Sequence, residues 1–490
     1  MTTETVASVS SNLIVVGTGI AGLSAAVTAA QAGARVTILE RATEAESGGN
    51  SRYTESFWRM RSESEIAPDL EERLAANAGG HPDPGLVREM VRDYEDWPGL
   101  ARSSNFTDPN LIAAIARDAP VALNWLTSFG IKFDTLPIYF LSQSTNRIAP
   151  IGGGLALIEA LGAFAETSPL ISIHYETTAH SLVLDDAGHV AGINAVGRHN
   201  RPVQFDAPNV VLASGGFQGN PEMLSHYIGP QSVYTRPVAR GGHYNRGEGI
   251  KMALDVGAAP CGDFGSFHAQ PVDPRSAEAE AVVLNYAWGI LVNETGHRFL
   301  DEAAGMTDAT YEVVTRDIMR QPHGMAWAVF DAKLDDVTNW STTVRSREAP
   351  LQADSLTELA KLAGLPADAF ASTVSQFNDA CPSEGTFDPL VLDGLATGPI
   401  SPSKSNWARA LDRPPFRAWP IIAANCFTFG GLKINDHAQV INTAGDAIPG
   451  LYAAGETAGI YYRVYPGATS VMRGAVTGRL AGQHAARANQ

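Results

Sequence analysis

Cysteine is scarce in this 490-residue chain, and the three that occur, Cys261, Cys381 and Cys426, stand far apart with no C-x-x-C pair. That excludes a disulfide framework and leaves no spacing for a zinc site, an iron–sulfur cluster or haem attachment, so no metal is expected and a reducing cytoplasm is the expected compartment. Basic residues are in deficit, with 35 Lys and Arg against 52 Asp and Glu and a formal net charge of −17. Such a surface repels nucleic-acid phosphate and anionic lipid and leaves room only for a local basic pocket, so no nucleic-acid partner is expected. One long stretch without charge does occur, residues 12–34. It has no basic segment before it and is broken by glycines, so a buried strand, a turn and a helix are expected there, and no integral membrane segment or signal peptide.

What is present is the balance of a globular enzyme, 44% hydrophobic and 18% charged residues. The length favours two domains or one large α/β domain carrying an insertion. Leu13, Ile14, Val15 and Val16 form an apolar run suited to a central parallel strand. The motif G-T-G-I-A-G follows at 17–22, and an alanine-rich helix runs from Leu23 to Ala32 before Gly33 ends it. The second strand, Arg35 to Glu40, closes a dinucleotide-binding unit. In it Gly17 permits the tight turn, Gly19 lets a pyrophosphate approach the backbone, Gly22 lets helix and strand pack closely, and Glu40 accepts bonds from ribose hydroxyls. The helix start at Ile20 and Ala21 supplies free N–H groups and a partial positive charge for phosphate.

Further along, Val183 to Val190 reads as a β-hairpin centred on Asp185, Asp186 and Gly188. Asn209 to Ala213 reads as another buried strand running into Ser214, Gly215 and Gly216. Two segments suit the ribitol and ring of a flavin nucleotide: the polar glycine loop Ser47, Gly48, Gly49, Asn50, Ser51, and the strand that closes on Gly455 with Glu456 beside it. Composition shifts to mixed helix and strand between about 232 and 410, and the final segment returns to the style of the beginning. The expected organisation is a nucleotide-binding domain made from 1–231 and 411–490, interrupted by a second domain at 232–410.

These residues resemble the flavoprotein family of fumarate reductase and succinate dehydrogenase, most closely its tricarballylate dehydrogenase branch. The resemblance spans nearly the whole chain. Besides 17–22 it rests on G-G-N-S at 48–51, I-G-G-G at 151–154, A-S-G-G-F at 213–217, Y-N-R-G-E-G at 244–249, V-N-E-T-G-H-R-F at 292–299, K-S-N-W-A-R at 404–409, F-T-F-G-G-L at 427–432 and Y-P-G-A-T at 465–469. It implies an α/β, Rossmann-like FAD-binding domain of the fumarate reductase flavoprotein type with an inserted, mobile α+β capping domain and substrate held between cap and flavin. It also implies flavin contacts from Ser51, Glu456 and the backbone of Ser470 and Val471, to which Arg41, Ala179, Ala213, Ser214 and Gly215 are added as nucleotide-facing candidates.

The chain also departs from the family. The arginine proton donor of fumarate reductases is absent after Glu302, where Ala303, Ala304, Gly305 and Met306 follow. The histidine expected before Thr428 is replaced by Cys426 and Phe427, so fumarate reduction is not expected. No histidine stands near Ser51, where Arg52 and Tyr53 follow, so the FAD is expected to be non-covalent. The remaining candidates for chemistry are Arg463, to grip a carboxylate, and Tyr465, to donate to an oxyanion. The resemblance adds His268 on the cap side and Tyr311 as a proton acceptor; Arg240, Tyr244 and Arg275 are weaker carboxylate contacts, and Arg298 is expected to pair with Glu302 or Asp301. The expected activity is an FAD-dependent desaturation of a C–C bond beside a carboxylate, on a tricarballylate-like polycarboxylate, with electrons leaving to an external acceptor. The alternatives are a desaturase of a cyclic ketone, as in ketosteroid dehydrogenases, and a flavin-carrying electron-transfer subunit.

Overall fold

The continuous apolar runs of the sequence become strands buried on both faces, and they build the sheet that carries the first glycine turn. In the computed structural model, which describes residues 9–79, 93, 96–135 and 147–488, a six-stranded sheet runs in the order Gln439–Ile441, Ala447–Ala453, Val210–Leu212, Leu13–Val16, Val36–Leu39, Ile171–His174. Neighbours are parallel except for the first pair. All four residues of Leu13–Val16 and of Val36–Leu39 are buried, as strands covered by helices on both faces require. The expected hairpin is present between Thr178–Leu184 and Val190–Gly197, part of a second, four-stranded sheet.

The glycine-turn helix Ile20–Gln31 packs on the last helix of the chain, Ser470–Arg487. Gly474, Gly478 and Gly482 repeat every four residues and so lie on one face. A Cβ at Gly478 would stand 2.2 Å from the Ala21 carbonyl oxygen, and one at Gly482 2.3 Å from that of Ala25. This stripe of missing side chains brings both helix N-termini, at Ile20 and Ser470, to the same cavity.

The third sheet, also of six strands, is organised on the 13-residue strand Phe416–Thr428. Met325–Phe330, Leu351–Ala353 and Phe267–Val272 pair with it antiparallel, and Arg236–Pro237 parallel. Side chains alternate between its faces. Ile290, Val292, Val329 and Ala418 face a core formed with Leu359, Phe370 and Phe377 from helices Leu356–Ala363 and Ala367–Ala380. Leu291, Ala328, Phe330 and Ile421 face the main core. The strand begins beyond residue 410, so this sheet draws on the closing segment of the chain as well as on 232–410. Within the cap, Arg298 and Glu302 form the expected buried pair, at 2.6 Å. Among the described residues no helix is long and apolar enough to cross a membrane, and no cluster of His, Cys, Asp and Glu could hold a metal ion.

Candidate active site

One cavity of about 520 Å³ runs from the first glycine turn to the underside of the cap. At its nucleotide end Gly17 adopts φ +103°, and its N–H donates to the Leu39 carbonyl at 2.8 Å. A Cβ there would meet the Ala213 carbonyl oxygen at 2.6 Å. Helix Ile20–Gln31 begins without an acidic residue in its first turn; the Ile20 N–H donates to Ser51 Oγ at 3.1 Å, and the partial positive charge of the helix start faces the cavity. Glu40 is buried at the end of the second strand. Its carboxylate accepts from Thr18 N (2.9 Å), Thr18 Oγ1 (2.5 Å) and Ala42 N (2.7 Å), which fixes it against the cavity wall with lone pairs to spare.

Gly19, Ile20, Ala21, Arg41, Gly49, Asn50, Ser51, Ala179, Ala213, Ser214 and Gly215 line the same space. So do Gly455, Glu456, Ser470 and Val471 from the closing segment. Glu456 is enclosed by Thr428 N (2.8 Å), Gln218 Nε2 and Asn245 Nδ2 (both 3.3 Å), and its burial raises the carboxyl pKa. Asn50 Oδ1 and Ser214 Oγ are buried without a partner, as polar atoms that await a ligand are. Two helix starts turned to one cavity, a buried carboxylate on its wall and these orphaned atoms fit a flavin dinucleotide.

At the far end, His268 comes from strand Phe267–Val272 and Tyr311 and Glu312 from helix Thr307–Met319. The Tyr311 hydroxyl lies 3.5 Å from His268 Nε2, and Glu312 Oε2 lies 3.4 Å from His268 Nδ1. The same Glu312 oxygen accepts from Tyr465 N at 3.1 Å, while Oε1 takes Arg316. The rings of His268 and Tyr465 are 4.6 Å apart. The Tyr465 hydroxyl is seated at the start of the last helix. It accepts from Thr469 N (2.7 Å) and Ser470 N (2.9 Å) and donates to Ser470 Oγ (3.1 Å).

Three expected site residues need correction. Arg463 does not reach the cavity. Its backbone is left-handed, φ +61°, its N–H donates to Asp263 Oδ2 at 3.2 Å, and the residue is exposed while Tyr465, two positions on, lines the cavity. Gly22 lies behind the cavity, where a Cβ would be 2.0 Å from the Gly17 carbonyl oxygen, so it serves packing alone. Gly48 shapes its loop, donating its N–H to Thr18 Oγ1 at 2.9 Å, without lining the cavity. Of the weaker candidates, Arg240 and the Tyr244 hydroxyl are both held by Glu46, and Arg275 by Asp273.

Sequence reasoning overlooked the cavity's charged wall. Arg59 lines it and is chelated by Asp69, while Arg147 lines it with, among the described residues, Asp308 alone as an acidic neighbour, at 4.0 Å, and with no partner for its buried Nε. Glu55, Glu280 and Gln270 line it as well. Arg147 stands four residues before the I-G-G-G motif, its one sequence signal; Glu280 sits in the run S-A-E-A-E-A, which reads as solvated surface. His268 is the only histidine among the described lining residues. Acid precipitation of the holoprotein is therefore expected to release all the flavin into the supernatant, and yellow pellets would contradict this.

Comparison with known proteins comes to the same place. A family model described as FAD binding domain matches residues 74–471, and one described as FAD dependent oxidoreductase matches 12–125. The chain is 27% identical to a probable fumarate reductase of Shewanella frigidimarina, covering 97% of this chain and 74% of that protein. It is 26% identical to a vinyl phenol reductase of Lactiplantibacillus plantarum, covering 97% and 96%. The open conformation of a flavocytochrome c3 fumarate reductase superposes with a TM-score of 0.71 at 25% identity, covering 98% of this chain and 78% of that one.

Proposed function

The chain belongs to the FAD-binding-domain family of flavin oxidoreductases, and from that premise we propose that it moves hydrogen across a C–C bond flanked by a carboxylate or a carbonyl group. It is an FAD-dependent oxidoreductase. The observation that carries the further reading is the continuity of one cavity, from the glycine turn and Glu40 to a wall of His268, Tyr311, Phe427 and Tyr465 under the cap. Glu40 and the Ile20 helix start would hold the adenosine half of FAD, and Asn50, Ser51, Glu456 and the Ser470 helix start the flavin half. When bound, FAD supplies a two-electron, hydride-exchanging ring, with an external carrier completing the electron balance.

The chain's own residues then bind and polarise the substrate. Arg147 takes the place that the sequence assigned to Arg463, because it lines the cavity and, among the described residues, meets no carboxylate nearer than Asp308 at 4.0 Å. His268, oriented by Glu312 and Tyr311, presents an imidazole to the substrate carbonyl or carboxylate, and the partial positive charge of the Ser470 helix start, on which the Tyr465 hydroxyl is seated, supports developing negative charge. A tricarballylate-like polycarboxylate would place its first carboxylate on Arg147 and draw others toward Arg59, which Asp69 already engages. A cyclic ketone would use Tyr465 and the helix start in place of Arg147.

An anaerobic flavin titration separates these. Saturated di- and tricarboxylates should bleach the oxidised flavin, or their unsaturated partners should reoxidise dithionite-reduced flavin, while cyclic ketones and enones leave it unchanged. The opposite pattern selects the ketone, and no response from either class removes the proposal. Arg147→Ala should retain FAD and weaken acid binding about 10- to 100-fold, the worth of one lost charge-assisted hydrogen bond. Unchanged binding would dismiss Arg147.

A further inference from the structure

We propose that Glu280, sharing Arg345 with Glu55, is the proton-transfer residue of this cavity, with Glu55 and Arg345 as its link to solvent. The proposal rests on the C–C hydrogen-transfer reading above.

Arg345 Nη1 lies 3.0 Å from Glu280 Oε2 and 2.8 Å from Glu55 Oε1, so a single guanidinium nitrogen serves two carboxylates. Both carboxylates line the cavity. They differ in what else they meet. The Glu280 side chain is 9% exposed, whereas those of Glu55 and Arg345 are 30% and 33% exposed, so the trio runs from the buried wall to water. The Glu280 backbone is pinned in the left-handed region, φ +51°, between Val238 O, which accepts its N–H at 3.1 Å, and Val282 N, which donates to its carbonyl. Gln270, almost fully buried on strand Phe267–Val272, lines the same cavity, and its Oε1 has no partner among the described residues.

Two carboxylates on one guanidinium leave an uncompensated negative charge if both are ionised, and a desolvated wall disfavours it. One proton is therefore retained and shared. Burial pushes the Glu280 carboxyl up to about 7, Glu55 adding to the rise and Arg345 opposing it; burial also raises Glu55 itself. The other titratable neighbour, Cys426 on the long strand, is held as a thiol by its own burial. Competing groups are committed elsewhere. Glu312 has partners on both oxygens, and the Tyr465 hydroxyl is pinned by two N–H donors. In desaturation the C–H bond beside the carbonyl breaks, and its electron pair becomes the second bond of the alkene. Its proton goes to the Glu280 carboxylate, and the hydride lost by the adjacent carbon balances the two-electron reduction of FAD. Reduction of the alkene runs the same transfer backwards.

Infrared titration of the substrate-free holoprotein should show a protonated-carboxyl band that disappears as pH rises through about 7 and is missing from Glu280→Gln. Stopped-flow reduction of the flavin by the substrate should accelerate with pH over the same range. Glu280→Gln should slow it about 100-fold or more and abolish that pH step, with FAD still bound. Glu55→Gln should move the step to lower pH, because a like charge is removed, and Tyr311→Phe should leave the step in place whatever its rate. Carboxyl-band intensity near pH 7 that is no smaller in Glu280→Gln than in the unmodified protein, or a Glu280→Gln rate within tenfold with the pH step intact, would overturn the proposal. Flavin that answers to no acid or ketone at all would instead strike the underlying C–C reading, with the infrared titration still deciding where the proton sits.

Discussion

A Gly22→Ala chain should emerge from purification colourless. The added methyl would sit 2.0 Å from the Gly17 carbonyl oxygen and 3.4 Å from Val15 Cγ1, and the first of these is backbone that no rotamer change can move. Helix Ile20–Gln31 would have to retreat from the sheet, but Gly478 and Gly482 of the last helix already press against the Ala21 and Ala25 carbonyls on its other side. Overpacking of this kind costs about 1–3 kcal/mol, and the distortion falls on the turn that receives the pyrophosphate. Gly33→Ala is the control. Its Cβ meets nothing within 4 Å, so despite φ +90° it should cost only the local strain of about 1–2 kcal/mol and keep its flavin. Flavin absorbance per chain measures both, and stoichiometric FAD in Gly22→Ala would show that the close approach is dispensable.

Glu302→Ala should be the most destabilising single change in the cap. The Glu302 carboxylate is buried and receives Arg298 Nε (2.9 Å) and Nη2 (2.6 Å), the Leu291 N–H (2.9 Å) and, at 3.9 Å, the Lys404 ammonium. Lys404 is itself buried, donating to the carbonyls of Ala287 and Gly289. Without Glu302 two buried cations lose their counter-charge, at a cost of about 3–5 kcal/mol read as a lower urea midpoint. Burial already lowers the Lys404 pKa to about 8 from 10.5. The folded state therefore binds this proton more weakly than the unfolded one. The resulting penalty is full below pH 8 and fades as pH rises toward 10.5, so stability from this group increases with pH across that window. In Glu302→Ala the window should open at lower pH, and a deficit that does not narrow in alkali would exclude Lys404 as its source.

The nucleotide half of the site was readable from the chain because its signals are local. Gly17, Gly19 and Glu40 lie within 24 residues, and their spacing carries the geometry. Tyr465 follows from the chemistry of a phenol beside the closing turn, and His268 and Tyr311 from family resemblance, since no periodicity joins residues so far apart; the fold brings the three together. Arg463 misled because residue type and position in the chain do not give side-chain direction: its left-handed backbone leaves it exposed, away from the cavity. Glu55, Glu280 and Arg345 could not be read at all. Each belongs to a charged stretch that looks like solvated surface, and only the pairing of distant elements turns them toward one guanidinium. The role of Phe416–Thr428 escaped for the opposite reason, since its apolar style matches the strands of the nucleotide-binding sheet.

That strand ties the two halves of the molecule mechanically. Its body is the spine of the cap sheet, while its last residue, Thr428, donates its N–H to Glu456 at the flavin end. A cap that swung as a rigid lid would pull directly on Glu456. Substrate exchange with FAD retained therefore requires the bending to be taken up away from Thr428, within the sheet or at its margins, and a more firmly seated cofactor should stiffen the mouth through which substrate enters.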